Sequence, residues 1–252
     1  MISTTGALVK PHNAEEMSIL RKKLTVRPTN TMDMGFPLPS FRVYRQKKDV
    51  LLVPQHYARK SLCAQLKEKR PDPTKLPDDV VFNGALRAKT RQPEAFKAIM
   101  DSWKSTNGAI LSLPCGYGKT TVALALACAL GLKTFIVVHK EFLLDQWVER
   151  IQQFVPNAKI GRIQRDTVDV EGKDFVMGML QSVSQKSYPK EVFEGFGLVI
   201  VDEAHHICAQ VFSQAFLKFC PKYTLGLSAT PERTDGLTPV LHWFLGPMAF
   251  QI

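Results

Sequence analysis

The 252-residue chain lacks the cysteine pattern of a zinc-binding or disulfide-rich protein. Its five cysteines, at positions 63, 115, 128, 208 and 220, form no CxxC pair and have no metal-ligand spacing. The longest apolar stretch, residues 122–132, is too short to cross a bilayer. The first ten residues have no basic start followed by an apolar segment, as a secretory signal would. We therefore expect reduced thiols and an intracellular protein, cytoplasmic or nuclear, with no membrane partner.

Acidic residues are too few to balance the basic ones, and the imbalance is confined to one part of the chain. The whole sequence has 33 Lys and Arg against 23 Asp and Glu, a net charge of +10. Residues 1–90 have 17 basic and 8 acidic residues, a net charge of +9, whereas residues 91–252 have 16 and 15. Basic clusters interleaved with aromatic residues are typical of surfaces that bind phosphate backbones. The alternative is a basic region that provides solubility or contacts a protein partner.

A glycine-containing segment, residues 113–121, reads Leu-Pro-Cys-Gly-Tyr-Gly-Lys-Thr-Thr. A short apolar run, 109–113, leads into it, and an alanine-rich run, 122–130, follows it. Strand, glycine turn and helix in this order predict a phosphate-binding loop, because backbone N–H groups at a helix start attract phosphate oxygens. The segment therefore predicts a nucleoside triphosphate as ligand.

The residues of this loop fit that chemistry one by one. Gly116 and Gly118 permit the tight turn. Lys119 is placed to reach the β- and γ-phosphates, and the Thr120 hydroxyl is placed to bind Mg²⁺. The usual pattern has a glycine five positions before Gly118, where this chain has Leu113. We expect neighbouring residues to shape the turn in its place.

A second motif follows a buried-strand pattern. Residues 198–201 read Leu-Val-Ile-Val and lead directly into Asp202 and Glu203. A parallel strand delivers the residues after it to the edge where ligands bind. We expect Asp202 to hold Mg²⁺ and Glu203 to be the general base that activates the attacking water.

The remainder of the sequence predicts two regions. From about residue 80, apolar runs alternate with helical patterns, which predicts an α/β fold with a parallel sheet and helices on both faces. The predicted strands are 109–113, 134–138, 175–179, 198–201 and 224–228. Residues 1–79 form a small basic α+β accessory domain in this interpretation, and a proline-rich break at 71–79 ends it. Its predicted elements are a helix from Asn13 to about Leu24, a hairpin of strands 41–44 and 50–53, and a helix over 57–69.

The motifs together resemble those of superfamily-2 helicases and translocases. Asp-Glu-Ala-His at 202–205 is the signature of that superfamily, and the motifs called Ia, Ib and III have counterparts in the expected order. The segment 226–235 is similar to motif III as extended in XPB-like and UvsW-like enzymes, including helicases of large DNA viruses. The matching segments are 135–147, 160–163, 176–184 and 226–235.

This resemblance implies a RecA-like P-loop NTPase fold over residues 80–252, with ATP and Mg²⁺ as cofactors and DNA or RNA as partner. It also suggests a viral origin, with the virion or host cytoplasm as location. The implied catalytic residues are Glu203, Asp202 and Lys119, and the implied metal ligands are Thr120 and Asp202. The implied nucleotide contacts are Gln92, Pro114, Cys115, Gly116, Tyr117, Gly118, Lys119, Thr120 and Thr121. His205, Ser228 and Thr230 would couple the nucleotide site to nucleic acid, which would contact His139, Lys140, Gly161, Arg162, Gln181 and Ser182.

Superfamily-2 enzymes have a second RecA-like domain whose arginines complete the ATP site, and the sequence has no length for one after residue 252. We therefore expect a fragment with little activity of its own, or a short protein that uses a second chain. Two other functions remain open: a non-hydrolysing, ATP-responsive module that binds nucleic acid or a partner, and another P-loop enzyme such as a nucleotide kinase. The Ser-Ala-Thr sequence at 228–230 argues against the kinase.

Overall fold

The computed structural model describes residues 1–29, 38–62, 66–206, 209–230 and 232–252. The described residues of the N-terminal part form six short strands and two helices. A four-stranded antiparallel sheet has the order β1-β2-β6-β5, and β3 pairs with β4 in a separate ribbon. The strands are β1 (Ile2–Ser3), β2 (Gly6–Val9), β3 (Thr25–Val26), β4 (Phe41–Arg42), β5 (Arg45–Lys47) and β6 (Val50–Val53), and the helices are α1 (Ala14–Lys23) and α2 (Gln55–Ser61).

The first helix is confirmed with its cap. The Asn13 side chain accepts a hydrogen bond from the Glu16 backbone N–H over 2.8 Å. Glu15 and Glu16 lie in the first turn and basic residues lie in the last, as the helix dipole favours.

Two N-terminal predictions are wrong in detail. The predicted hairpin of 41–44 with 50–53 is instead β5 with β6, joined through Lys48 at a φ of +53°, while β4 pairs with β3. The predicted helix over 57–69 ends at Ser61. Its last predicted residues are extended, since Lys67 and Lys69 exchange backbone hydrogen bonds with Ile2. Pairing with β1 outweighs the local helical pattern there, and residues 63–65 lie outside the described part.

An eight-stranded sheet forms the larger part of the molecule. Its order is β10-β9-β11-β8-β12-β13-β7-β14, and all neighbours are parallel except β10 with β9. The strands are β7 (Gly108–Ser112), β8 (Thr134–Val138), β9 (Ile160–Gln164), β10 (Thr167–Asp169), β11 (Phe175–Met179), β12 (Leu198–Val201), β13 (Tyr223–Ser228) and β14 (Met248–Gln251). All five predicted strands are present, with shifts of one residue in β7 and β13.

Helices cover both faces of this sheet, as predicted. Alternate residues of β8 point to opposite faces: Phe135 and Val137 belong to one buried cluster, and Ile136 and Val138 to the other. One face packs against α3 (Gln92–Thr106), α4 (Lys119–Leu130) and α5 (Glu141–Phe154). The other packs against α6 (Leu180–Gln185), α7 (Ala209–Phe216) and α8 (Thr238–Leu245). No helix in the described part of the chain is long and apolar enough to cross a membrane.

The N-terminal part packs directly against the large sheet. Phe41 and Val43 are buried in the cluster that covers the α6–α8 face. The His56 Nε2 atom lies 3.0 Å from the Thr224 Oγ1 atom, and the Gln55 amide donates to the Pro221 carbonyl over 3.2 Å. Contacts therefore cross the domain boundary predicted near residue 79, which stays a prediction.

Candidate functional site

The predicted phosphate loop joins the end of β7 to the start of α4. Gly116 and Gly118 have φ values of +81° and +82°, a region that side chains with a Cβ rarely adopt. A Cβ atom on Gly118 would also lie 2.5 Å from the Gln92 amide nitrogen, whereas the space beside Gly116 is open. The turn therefore needs glycine at both positions, and at Gly116 it leaves room for a ligand.

Leu113 explains how the loop forms without its usual first glycine. The Leu113 side chain is fully buried in the core, and its backbone N–H donates to the Ser228 carbonyl over 3.1 Å. Its own carbonyl accepts a hydrogen bond from Lys119 Nζ over 3.1 Å. Position 113 thus continues the strand, and the turn begins after it.

The Gln92 side chain supports the loop through hydrogen bonds. It is fully buried; the amide nitrogen donates to the Tyr117 carbonyl over 2.8 Å, and the amide oxygen accepts from the Arg87 N–H over 2.9 Å. Both ends of the amide therefore have protein partners, so the structure gives Gln92 a positioning role. Direct contact with the nucleotide stays a prediction for this residue.

The other predicted nucleotide contacts lie around the loop opening. Cys115, with a free thiol, and Tyr117 are exposed, and Pro114 is half-buried. Thr120 and Thr121 lie half-buried in the first turn of α4. The first N–H groups of a helix have no partner within it, and the helix dipole favours anions there.

The acidic pair lies at the end of β12, opposite the loop. The Asp202 carboxylate is only 7% exposed and accepts hydrogen bonds from the Trp147 indole N–H over 2.8 Å and from the Glu203 N–H over 2.9 Å. Burial raises the pKa of Asp202, and the hydrogen bond from Trp147 opposes that rise only in part. Sequence reasoning missed this role of Trp147; the available signal was a tryptophan in the helix after β8, because a buried indole N–H needs an acceptor.

Glu203 lies between the loop and the segment after β13. Its Oε1 atom is 3.9 Å from Lys119 Nζ, and its Oε2 atom is 3.5 Å from His205 Nδ1. Its φ of +47° is a backbone conformation that costs a non-glycine residue about 1–2 kcal/mol. Such strain persists where surrounding contacts hold the residue, and it is common at functional sites.

The three predicted coupling residues are brought together. His205 Nδ1 and Ser228 Oγ form a hydrogen bond of 2.8 Å, and the Thr230 N–H donates to the same Ser228 Oγ over 3.1 Å. A continuous set of contacts therefore leads from Lys119 through Glu203 to the end of β13. Pro231, next in the predicted motif III, lies outside the described residues.

Four of the six predicted nucleic-acid residues lie at the carboxyl edge of the sheet. Lys140 is exposed directly after His139, which follows β8, and the Gln181 amide donates to the His139 carbonyl over 3.0 Å. The Ser182 Oγ atom accepts from the Arg165 N–H over 2.9 Å. These contacts tie the loops after β8, β9 and β11 into one polar edge.

The other two predicted residues lie elsewhere. Gly161 and Arg162 are inside β9 and do not reach that edge. Gly161 is buried, and a Cβ atom there would lie 2.0 Å from the Asp169 carbonyl oxygen, so the close approach of β10 requires glycine. The residue that does reach the edge is Arg165, in the turn after β9 at a φ of +54°. A basic residue in a tight turn was the signal that sequence reasoning passed over.

Comparison with known families agrees with this arrangement. A family model described as type III restriction enzyme, res subunit, matches residues 85–233. That range is more than half of the chain and contains the phosphate loop, the acidic pair and the end of β13. The chain belongs to this family. The part matched to the restriction-enzyme res subunit begins just before α3, so it contains the site and most of the large sheet.

Curated relatives extend the likeness into the N-terminal part. A protein of Acanthamoeba polyphaga mimivirus, named as an ATP-dependent RNA helicase, is 35% identical over 221 residues, covering 88% of this chain and 41% of the relative. A protein of Sulfurisphaera tokodaii named as a DNA 3′-5′ translocase is 33% identical over 171 residues, covering 66% of this chain and 36% of the relative. The chain thus spans less than half the length of either.

Solved structures confirm the fold. The UvsW helicase from bacteriophage T4 superposes with a TM-score of 0.66 at 18% identity, covering 100% of both chains. The Sulfolobus solfataricus SWI2/SNF2 ATPase core in complex with double-stranded DNA superposes with a TM-score of 0.56 at 21% identity, covering 68% of this chain and 38% of that one. The family match and the curated relatives confirm the predicted resemblance, and the solved structures confirm the fold: residues 85–233 are a first RecA-like domain of the superfamily-2 helicase type.

Proposed function

We propose that this chain is the ATP-binding part of a superfamily-2 helicase or translocase that couples ATP hydrolysis to movement on nucleic acid. The observation that supports it most strongly is the series of contacts from Lys119 to Glu203, then His205 and Ser228. A phosphate-binding lysine, a base and a polar network after the next strand lie within reach of one another. A glycine turn that matched the phosphate-loop pattern by chance would not be expected to contact these other elements.

The loop residues would bind and orient the triphosphate. The N–H groups at the start of α4 would donate to phosphate oxygens, and Lys119 would exchange its contact with Leu113 for the β- and γ-phosphates. The open space at Gly116 leaves the approach free.

The donor set near Asp202 fits a magnesium ion. Mg²⁺ prefers oxygen ligands, keeps several waters and takes only one or two carboxylates besides phosphates. A buried Asp202 carboxylate, with Thr120 at the start of α4, offers such a set. When bound, the ion neutralises charge on the phosphate oxygens. Trp147 would hold the carboxylate in its orientation.

Glu203 would accept a proton from the attacking water. Lys119 and His205 flank the Glu203 carboxylate and keep it at the loop opening. The residue as a whole is half-buried. General-base catalysis contributes on the order of 10²–10⁴ in rate. His205 would pass a change at Glu203 to Ser228 and Thr230.

Nucleic acid would contact two surfaces. The polar carboxyl edge with Lys140 and Gln181 would follow the phosphate backbone. The second surface is an open cleft in the N-terminal part, here named the basic cleft; the described residues that line it include three basic side chains and no acidic one. It is lined by Ser18, Arg21, Lys22, Thr25, Arg27 and Ser40.

Full activity would require a second RecA-like domain, in the same polypeptide or in another chain. The relatives are more than twice the length of the aligned part, which supports this requirement. An arginine supplied from such a domain is worth on the order of 10³–10⁵ in rate in comparable phosphoryl-transfer enzymes. We therefore expect residues 1–252 alone to hydrolyse ATP slowly and to unwind no duplex.

The test begins with ATP binding by residues 1–252, followed with a fluorescent ATP analogue and Mg²⁺. Lys119→Ala should weaken binding at least tenfold without loss of fold, whereas Lys104→Ala, on the exposed side of α3, should not. Turnover is then measured with and without single-stranded DNA and RNA, for this polypeptide and for one that includes a second RecA-like domain. Stimulation in the longer protein supports the proposal. Tight binding without turnover there would indicate a non-hydrolysing module, and phosphate transfer to a small acceptor would indicate a kinase.

A further inference from the structure

The segment after β13 contacts the N-terminal part next to the basic cleft. The Thr29 N–H donates a hydrogen bond to the Asp235 carbonyl over 3.0 Å. The following residue, Gly236, has a φ of +71°, and a Cβ atom there would lie 3.2 Å from Thr29 Oγ1. Thr29 is only two residues beyond Arg27, which lines the cleft.

Arg233 connects the same segment to the ATP site. Its side chain is 7% exposed, and its Nη1 atom donates to the His205 carbonyl over 3.0 Å. Its Nε atom donates to Asp235 Oδ1 over 2.9 Å, and Nη2 donates to Asp235 Oδ2. The rigid guanidinium fork thus holds His205, two residues after Glu203, and Asp235, which Thr29 contacts, at the same time.

Burial and charge favour this arrangement as a unit. Burial raises the pKa of Asp235, but hydrogen bonds from Arg233 and from the Leu237 N–H outweigh it, so the pKa lies below its usual value. The carboxylate is therefore charged at neutral pH and remains paired with Arg233. A charge-assisted, two-point pair of this kind has a fixed geometry.

Packing provides a second link between the same two regions. Phe41, in the strand that pairs with β3, and Val43 lie in one buried cluster with Ala204, the residue between Glu203 and His205. Densely packed side chains transmit displacement instead of absorbing it. The residues after β12 and the ribbon beside the basic cleft therefore share one packed interior.

We infer that the Arg233–Asp235 pair and the Thr29 contact couple the nucleotide state at Glu203 and His205 to nucleic-acid affinity at the basic cleft. This inference rests on the proposed function, since it requires both ligands. Arg233 is a positioning residue in this scheme: it touches neither ligand and acts through the His205 carbonyl. By linkage, nucleic acid must change ATP affinity by the same factor as ATP changes nucleic-acid affinity.

The test compares two substitutions of Thr29 in residues 1–252. Thr29→Pro removes the N–H donor, whereas Thr29→Ala retains it and serves as the matched control. Fluorescence anisotropy gives the Kd for a labelled 20-nucleotide single strand, DNA or RNA, without nucleotide and with saturating ATP–Mg²⁺. A coupling free energy of typical size predicts that the Kd without nucleotide and the Kd with ATP–Mg²⁺ differ about fivefold or more. We expect this ratio in the wild type and in Thr29→Ala. In Thr29→Pro the ratio should fall to within twofold of one, with ATP affinity unchanged.

Arg233→Lys provides a second measurement. It keeps the positive charge but cannot donate to both Asp235 oxygens and the His205 carbonyl together. The ratio should again approach one, and Arg150→Lys, on the exposed face of α5, should retain the wild-type ratio. Circular dichroism and thermal melting establish that each variant is folded.

The outcomes separate this inference from the proposed function. If the wild type binds ATP and nucleic acid but each Kd is independent of the other ligand, the inference is overturned and the proposed function stands. A wild-type ratio that persists in folded Thr29→Pro and Arg233→Lys overturns it as well. If the wild type fails to bind ATP or fails to bind nucleic acid, it is the proposed function that fails.

Discussion

The indole N–H of Trp147 donates a 2.8 Å hydrogen bond to the Oδ2 atom of Asp202 in a buried setting. Fifty-five positions separate the two residues in the sequence, and α5 must pack against the sheet for them to meet. The bond stabilises the charged form of a carboxylate whose burial favours the neutral form.

Trp147→Phe should therefore weaken Mg²⁺-dependent nucleotide binding. Loss of the hydrogen bond raises the pKa of Asp202 further, so the acid-side midpoint of ATP–Mg²⁺ binding should move to higher pH. A hydrogen bond to a charged group contributes about 1.5–3 kcal/mol, so near that midpoint the affinity should fall about tenfold or more. Isothermal titration across pH 5–8 gives the profile. Trp103→Phe is the matched control, because its indole donates to the Thr224 carbonyl over 2.9 Å in a buried position; an equal shift in both variants would contradict the role of Trp147.

Glu203→Gln should separate binding from chemistry. The amide keeps the size of the side chain but cannot accept the proton, so ATP–Mg²⁺ affinity should stay within threefold of wild type. Turnover by a protein that includes the second RecA-like domain should fall by on the order of 10²–10⁴. Glu149→Gln, an exposed change on α5, controls for the loss of one negative charge. Normal turnover by Glu203→Gln would show that another group activates the water.

Charge reversal in the basic cleft should lower nucleic-acid affinity in a salt-dependent way. Three substitutions, Arg21→Glu, Lys22→Glu and Arg27→Glu, remove three positive contacts, so the slope of log K against log salt for single strands should fall in magnitude by about two. A matched control reverses three exposed charges on α3 and α5, at Lys97, Lys104 and Arg150. Equal slopes for the two triple variants would mean that the basic region serves solubility or a protein partner instead.

His56 should make folding stability sensitive to acid. Its pKa is lowered to about 3 by burial and by the charges of Arg59 and Arg70. In the unfolded chain His56 binds a proton near pH 6.5, whereas in the folded chain it stays neutral. The free energy of unfolding is therefore highest above about pH 6.5 and decreases as the pH falls towards 3. At pH 5 this loss is about 2 kcal/mol. Urea unfolding at pH 7 and pH 5 should show that loss in the wild type and in His12→Gln, an exposed control, but not in His56→Gln.

The elements that follow from local pattern were predictable from sequence. β12 with Asp202 and Glu203, and β7 with the glycine turn and α4, each need only a short apolar run and its neighbours. The coupling of His205 to Ser228 came from the family resemblance, and the hydrogen bond between them is present. The alternation of apolar runs with helical patterns along the chain predicted helices on both faces for the same local reason.

The remaining features depend on pairing between distant residues. Residues 67–69 are extended because Ile2 pairs with them, and no local pattern carries that information. The support that Gln92 gives to the loop and the contact of Thr29 with Asp235 are equally long-range. The close approach of β10 accounts for glycine at position 161, and its predicted contact with nucleic acid stays a prediction.

Burial of Phe41 and Val43 beneath the same apolar layer as Ala204 has a consequence for how the molecule unfolds. Removing the N-terminal residues would uncover part of that layer, so the interior of the large sheet is incomplete without them. Heat or urea should then melt the whole chain in one cooperative transition, reported alike by the ellipticity of the helices and by tryptophan emission. Evolution in this chain would be constrained accordingly: the basic part cannot be exchanged as a detachable module without repacking the interior of its neighbour.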